Sequence, residues 1–180
     1  MTTPYFFGYG SLVNRATHDY PQAQTAVLPG WRRQWVRSRH RADVVFLTAM
    51  PDPGARIDGL IAAVPGADWE ALDAREAGYR RHLTPQMQPG PVSVYAVDPE
   101  DMVPQGNHKI LLSYLDVVVQ GFLREFGTDG AERFFDTTTG WDIPVHNDRA
   151  APIYPRAQTL TAEETRLVDT LLAAQVEQGM

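Results

Sequence analysis

Tyr5-Phe6-Phe7-Gly8-Tyr9-Gly10-Ser11-Leu12 is an apolar run that empties into a glycine-tyrosine-glycine-serine turn within the first dozen positions. Its aromatic start reads as a buried strand over residues 4–9. Two glycines flanking a tyrosine let the backbone approach a ligand closely. Free N–H groups in such a turn, with the Ser11 hydroxyl, are suited to grip a carboxylate or an oxyanion. The same residues also make a plain bulge or tight turn after an aromatic strand, and the turn alone does not separate the two readings.

Outward from that run, strand material continues from Ala26 to Arg37, broken by the turn signal Pro29-Gly30. Val44–Thr48 reads as another buried strand, Pro51-Asp52-Pro53-Gly54 as a turn, and Ile57–Val64 as a further strand closed by Pro65-Gly66. The character then changes. Residues 67–76 are rich in helix formers, with Asp68 as N-cap and Gly78 as a left-handed stop. Tyr79–Leu83 and Val92–Val97 are two more strands joined by a proline-rich turn over Pro85–Pro91. From His108 to Phe126, apolar residues recur at three- and four-residue steps, which predicts a helix. A short helix is expected over 130–137, and Thr161 with Glu164 forms a capping box that opens a helix to Gln178. Several short strands around one early helix point to an α+β fold, a small mixed, twisted β-barrel flanked by helices.

The 180 residues fit a single domain over 1–180, with 126–180 as a C-terminal extension packing on it. No cysteine is present, so thiolate nucleophiles, disulfides and cysteine zinc sites are excluded. The sequence shows neither a secretion signal nor a membrane span, and a cytoplasmic location is expected. A net charge of −6 argues against a general nucleic-acid binder. The local exception is Trp31-Arg32-Arg33-Gln34-Trp35-Val36-Arg37, whose alternation fits a strand with one solvated basic face and one aromatic face. The five histidines lack metal-ligand spacing. His146 with Asp142 and Asp148 is their one local cluster, and it suits loop hydrogen bonding better than a metal.

A second stretch carries chemistry. Leu72-Asp73-Ala74-Arg75-Glu76-Ala77-Gly78-Tyr79 sets a carboxylate at a helix C-terminus, the negative end of the helix dipole. Without a cation or a burial-raised pKa that placement is unfavourable, and a carboxyl so perturbed is a serviceable general base and acid near neutral pH. The plain alternative is a surface glutamate paired with Arg75, Arg80 or Arg81.

These two stretches, in this order, with Gly30-Trp31-Arg32-Arg33 between them and Ser113-Tyr114-Leu115-Asp116 and Gly121 after them, resemble the γ-glutamylcyclotransferase superfamily, including its ChaC and AIG2-like branches. The likeness extends through about residue 125. It implies a cofactor-independent enzyme that cyclises the γ-glutamyl group of a dipeptide, an amine or glutathione to 5-oxoproline and releases the amine. Its implied catalytic acid and base is Glu76. Its implied substrate-binding residues are Gly8, Tyr9, Gly10, Ser11 and Leu12, with Arg33 lending charge to the pocket floor and Tyr79 and Tyr114 as pocket tyrosines. No metal is implied, and the expected partner is the small γ-glutamyl substrate, with no nucleic acid or membrane. Two rival readings stand beside it: a non-catalytic member of the same fold that binds a small metabolite, and an interaction module presenting the Arg/Trp strand.

Overall fold

The computed structural model describes residues 3–84, 87, 89–104 and 106–178. The expected turn over Pro85–Pro91 therefore lies partly outside the described residues. In chain order, β1 (Tyr5–Gly8), β2 (Gln24–Ser38) and β3 (Arg41–Ala63) precede the short helix α1 (Glu70–Arg75), β4 (Arg80–Thr84), β5 (Val92–Ala96) and β6 (Met102–Val103). Then come β7 (Ile110–Leu111), the long helix α2 (Leu112–Asp136), β8 (Thr138–Thr139), β9 (Val145–His146) and α3 (Ala162–Gln178). The main sheet has the order β4-β5-β1-β3-β2-β6 with β8 added beside β2, and it curls into a half-barrel. No described helix is long and apolar enough to cross a membrane.

Strand β1 runs antiparallel to β3 and parallel to β5, so it lies inside the sheet. Successive side chains of a strand point to opposite faces, and here both faces are covered. Phe6 packs with Ala62, Val64, Tyr95 and Leu72 of α1, whereas Phe7 joins the larger core of Trp35, Leu47, Ile57, Leu115 and Phe122 around α2. Burial on both sides is why the run stays apolar at neighbouring positions.

Strands β2 and β3 differ from the sequence expectation. They form one long antiparallel ladder from Gln24 paired with Ile61 to Ser38 paired with Arg41, rather than several short strands. The Pro29-Gly30 signal marks a bulge: Pro29 pairs with Arg56 and Trp31 with Pro51, so residues 52–55 loop out opposite Gly30, which has φ +77°. An Asx hydrogen bond from the Gly54 amide to Asp52 (3.2 Å) closes that excursion. Turn residues thus interrupt the ladder without ending it.

The same period-two arithmetic corrects the expected basic face. Arg33 and Arg37 share their face with Trp31 and Trp35, and that face turns inward: Arg33 is 0% exposed and Trp35 1%. The Arg33 guanidinium lies 4.9 Å from the ring centres of both Phe122 and Phe134, and Arg37 donates to the His108 carbonyl (3.2 Å).

Helix α2 starts at Leu112 because residues 110–111 pair with β9 instead, and it continues through the expected 130–137 helix to Asp136. The join is a kink at Gly127, whose φ of +72° is readily adopted by a residue without a Cβ. No local side chain caps its start. Asp148, 35 residues on, accepts the Ser113 amide (2.8 Å) and supplies that cap from a distance. Helix α3 opens with the expected capping box, in which the Thr161 amide donates to Glu164 (2.8 Å) and the Glu164 amide to the Thr161 hydroxyl (3.1 Å).

Candidate active site

At the end of β1 the chain leaves the sheet through Tyr9-Gly10 and enters a 3-10 turn at Ser11–Val13. The Val13 and Asn14 amides close that turn on the carbonyls of Gly10 and Ser11 (3.0 and 3.1 Å). The amides of residues 10–12 precede the first closed ring, where such groups have no partner within the turn. Glycine is required here by packing. A Cβ on Gly8 would stand 2.5 Å from that of Leu12, and one on Gly10 would stand 2.7 Å from the Tyr114 hydroxyl.

Facing this turn is the end of α1. The helix closes at Arg75, Glu76 is its C-cap with φ −91° and ψ 29°, and Gly78 (φ +100°) reverses the chain into β4. One small, partly open pocket is lined by the 7–12 segment, Leu47, Glu76, Tyr79, Tyr95 and Tyr114. Glu76 and the glycine turn, more than sixty positions apart, are therefore brought together on one cavity.

The Glu76 side chain is 15% exposed. Burial pushes its pKa up from the usual carboxylate value, and the charges of Arg75 and Arg156 pull it down without cancelling the rise. Arg75 sits beside it, Nε to Oε1 3.2 Å, and is itself tied down. It donates to the Thr17 carbonyl (2.7 Å), the Thr17 hydroxyl (2.9 Å) and the Ser11 hydroxyl (3.4 Å). One arginine thus locks the turn to the carboxylate that faces it.

Three phenols complete the wall. Tyr9 donates to the Tyr95 carbonyl (2.5 Å) and Tyr79 to the Leu47 carbonyl (2.9 Å). The Tyr114 hydroxyl lies against Gly10. Burial is the main cause that raises all three pKa values, with the Glu76 charge adding to each and neighbouring phenols adding for Tyr79 and Tyr114, so each phenol keeps its proton at neutral pH.

Arg33 is placed differently from the expectation. It does not reach the pocket wall: its guanidinium is sealed behind the cradle, donating to the Asp58 carbonyl (3.1 Å), the Tyr9 carbonyl (3.4 Å) and the Thr137 hydroxyl (2.7 Å). Desolvation pushes its pKa down to about 9. Its place on the inward face of β2 is the reason, and from there it props the cradle from the core side. Among the described residues no group of three potential metal ligands occurs. Asp148, which the sequence groups with His146, points instead to the start of α2.

The sequence reading missed Arg75 as a brace, and it missed the segment 148–159. That segment runs as a strap along α2, stitched at Ser113, Asp116 and Gln120. Asp148 accepts the Ser113 hydroxyl (2.5 Å) and the Ile153 amide (2.8 Å), Arg149 makes a two-point contact with Asp116 (both 2.7 Å), and Gln120 donates to the Thr159 carbonyl (3.2 Å). The strap lays the Tyr154 ring edge-on against Tyr114, centres 5.0 Å apart. A signal was present in the sequence: Ser113, Asp116 and Gln120 are one polar stripe, all buried, on a helix otherwise built for a core.

Comparison with curated protein sequences gives no significant match. Among solved structures, a protein described as gamma-glutamyl cyclotransferase superposes with a TM-score of 0.58 at 14% identity, over 94% of this chain and 99% of that one. YkqA from Bacillus subtilis gives 0.56 at 17% identity, over 78% of this chain and 57% of that one. A human protein described as uncharacterized, loc79017, gives 0.56 at 14% identity, over 94% and 99%. At such identities these likenesses establish the fold. A family model described as ChaC-like protein matches residues 4–113, a span that holds the glycine turn, Glu76 and Tyr79 and ends one residue before Tyr114. The chain belongs to the ChaC-like family, within the γ-glutamylcyclotransferase superfamily.

Proposed function

We propose that this chain is a γ-glutamylcyclotransferase-type enzyme, closing the γ-glutamyl group of a small compound into 5-oxoproline and releasing the amine. The observation that carries the reading is the meeting of a shielded carboxyl, Glu76, with the amides of the Gly8–Leu12 turn on one small pocket. The substrate's own α-amine attacks its γ-carbonyl, so the protein must supply a base, a site for the developing oxyanion, and a folded substrate shape.

Glu76 is the base. An α-ammonium cannot attack, and a carboxylate whose pKa is raised by burial takes its proton more readily than an ordinary one. The charges of Arg75 and Arg156 oppose that rise. As the C–N bond forms, charge gathers on the carbonyl oxygen. The amides of residues 10–12 and the Tyr114 hydroxyl are the donors for it, each such contact being typically worth about 2.7–4 kcal/mol in a preorganised site. Collapse of the tetrahedral centre expels the amine as Glu76 returns its proton to the leaving nitrogen, and the carboxylate so regenerated takes the second proton from the ring nitrogen and passes it to the released amine. The phenols of Tyr9 and Tyr79 are engaged with backbone carbonyls and act as walls that hold the chain of the substrate folded.

The experiment is Glu76→Gln, assayed for 5-oxoproline released from γ-glutamyl dipeptides, γ-glutamylamines and glutathione. The expected outcome is a loss of about 10²–10⁴-fold in turnover with the melting temperature retained. Full turnover by the variant contradicts the mechanism. Ligand-induced stabilisation of the wild type without product favours the rival reading as a metabolite binder of the same fold.

A further inference from the structure

Three arginines bring positive charge to the pocket, and only one has its guanidinium uncommitted. Arg33 is sealed in the core between two phenylalanine rings. Arg75 is held by Thr17, Ser11 and Glu76. Arg156, on the strap, is half-buried, and its charge reaches Glu76; among the described residues its guanidinium makes no hydrogen bond or ion pair. Of the three, Arg156 is therefore the one whose guanidinium is open to an anion from outside the protein.

Its position is built. The turn Tyr154–Ala157, closed by the Ala157 amide on the Tyr154 carbonyl (3.1 Å), carries Arg156 at its bend. The same turn is pinned to the head of α2, where the Tyr154 amide donates to the Ser113 hydroxyl (3.3 Å) and the Tyr154 ring rests on Tyr114. Arg156 follows that ring by two positions, and the Tyr114 beneath the ring lines the pocket. Arg156 also lies outside the span matched by the family model.

We propose that Arg156 binds a carboxylate of the substrate, which the strap delivers to the pocket after Glu76 and the glycine turn have formed the rest of it. This inference rests on the proposed function for the identity of the substrate as a γ-glutamyl compound. Guanidinium and carboxylate match in a two-point contact, which orients a flexible substrate as well as holding it. Such a compound offers two candidates, the α-carboxylate of the glutamyl unit and the carboxylate of a leaving amino acid. Both lie within a few bonds of the nitrogens that Glu76 serves.

The test compares wild type, Arg156→Gln and Arg156→Lys on γ-glutamylalanine and on γ-glutamylethylamide, which lacks the second carboxylate. Calorimetric binding of γ-glutamylalanine is measured in parallel. With no internal partner to lose, both variants keep the wild-type melting temperature. Arg156→Gln is expected to weaken binding and raise KM about ten- to a hundred-fold, with Lys giving partial rescue. An effect confined to γ-glutamylalanine assigns the contact to the leaving amino acid, and an equal effect on both assigns it to the glutamyl unit. Unchanged KM and unchanged binding in Arg156→Gln, or a wild type that binds no γ-glutamylalanine, overturns the inference. A wild type that binds this compound but forms no 5-oxoproline defeats the proposed reaction instead, and the binding comparison still decides the role of Arg156.

Discussion

The two sides of the pocket are made by different means. On one side, residues 8–12 and Glu76 each sit in local backbone geometry, a strand end with a 3-10 turn and a helix C-cap, and one bracing arginine joins the two. On the other, Tyr154 and Arg156 are held by a strap whose anchors, Ser113, Asp116 and Gln120, lie some thirty to forty positions away on α2. The first side comes from local sequence and carries the groups assigned to the proposed cyclisation. The second lies outside the family span and packs on the first through Tyr114. The division suggests that chemistry resides in the turn and carboxylate, while substrate choice resides in the strap.

The comparison can be broken on either side. The largest effect expected after the loss of Glu76 itself is from Asp148→Ala. It removes the acceptor for the Ser113 amide, the Ser113 hydroxyl and the Ile153 amide, and leaves buried donors unpaired. About 1–3 kcal/mol of stability should be lost for each donor that water cannot reach. Denaturant unfolding checks the loss, and kinetics should show KM rising more than kcat falls. If kcat collapses while KM holds, the strap is part of the chemistry and the division fails.

Next comes Gly10→Ala, which attacks the turn. Its Cβ would stand 2.7 Å from the Tyr114 hydroxyl, so the phenol must move or the turn must shift. A stability cost of about 1–3 kcal/mol is expected for such overpacking, with a fall in kcat. Because the closest conflict is with that oxygen, the next being Leu47 Cδ2 at 3.3 Å, Tyr114→Phe in the same chain should recover part of the stability but not the activity. A double-mutant cycle reads that coupling directly.

The smallest effect is in pH dependence. The native pKa of Glu76 is raised, chiefly by desolvation, so the acid limb of kcat/KM should fall above the ordinary carboxylate value. The stability sign follows from the same shift. A raised native pKa means the folded state holds its proton to higher pH than the unfolded chain, so this group favours the fold at low pH. That contribution is lost as pH rises through the native value. Unfolding measured against pH should show this slope in wild type and lose it in Glu76→Gln. An acid limb at or below the usual carboxylate range would mean that Arg75 and Arg156 outweigh burial.

Much of the fold was legible because its signals are local. The aromatic run of β1, the three- and four-residue apolar steps of α2, and the Thr161/Glu164 box each declare themselves within a few residues. Where the reading failed, a local signal was overruled by a distant one. Pro29-Gly30 and Pro51–Gly54 look like turns, yet the β2–β3 ladder absorbs them as one bulge because pairing on both sides outweighs the interruption. The charge of Arg33 suggested a polar face, whereas its register with Trp35 placed it in the core. For the site, the glycine turn and Glu76 were visible as motifs, since close approach and a misplaced carboxylate leave a trace in composition. Tyr154 and Arg156 left none, because their position depends on hydrogen bonds made elsewhere.

The most direct test of the central claim, that Glu76 and the glycine turn act on one ligand, is a crystal structure of the protein with 5-oxoproline bound. The expected result is the ring seated on the amides of residues 10–12, with a Glu76 carboxylate oxygen about 2.6–3.2 Å from the ring nitrogen. A ring found instead in the second hollow beside His40, Asp98 and Asp101, or seated on the turn with Glu76 swung out to solvent, would contradict it.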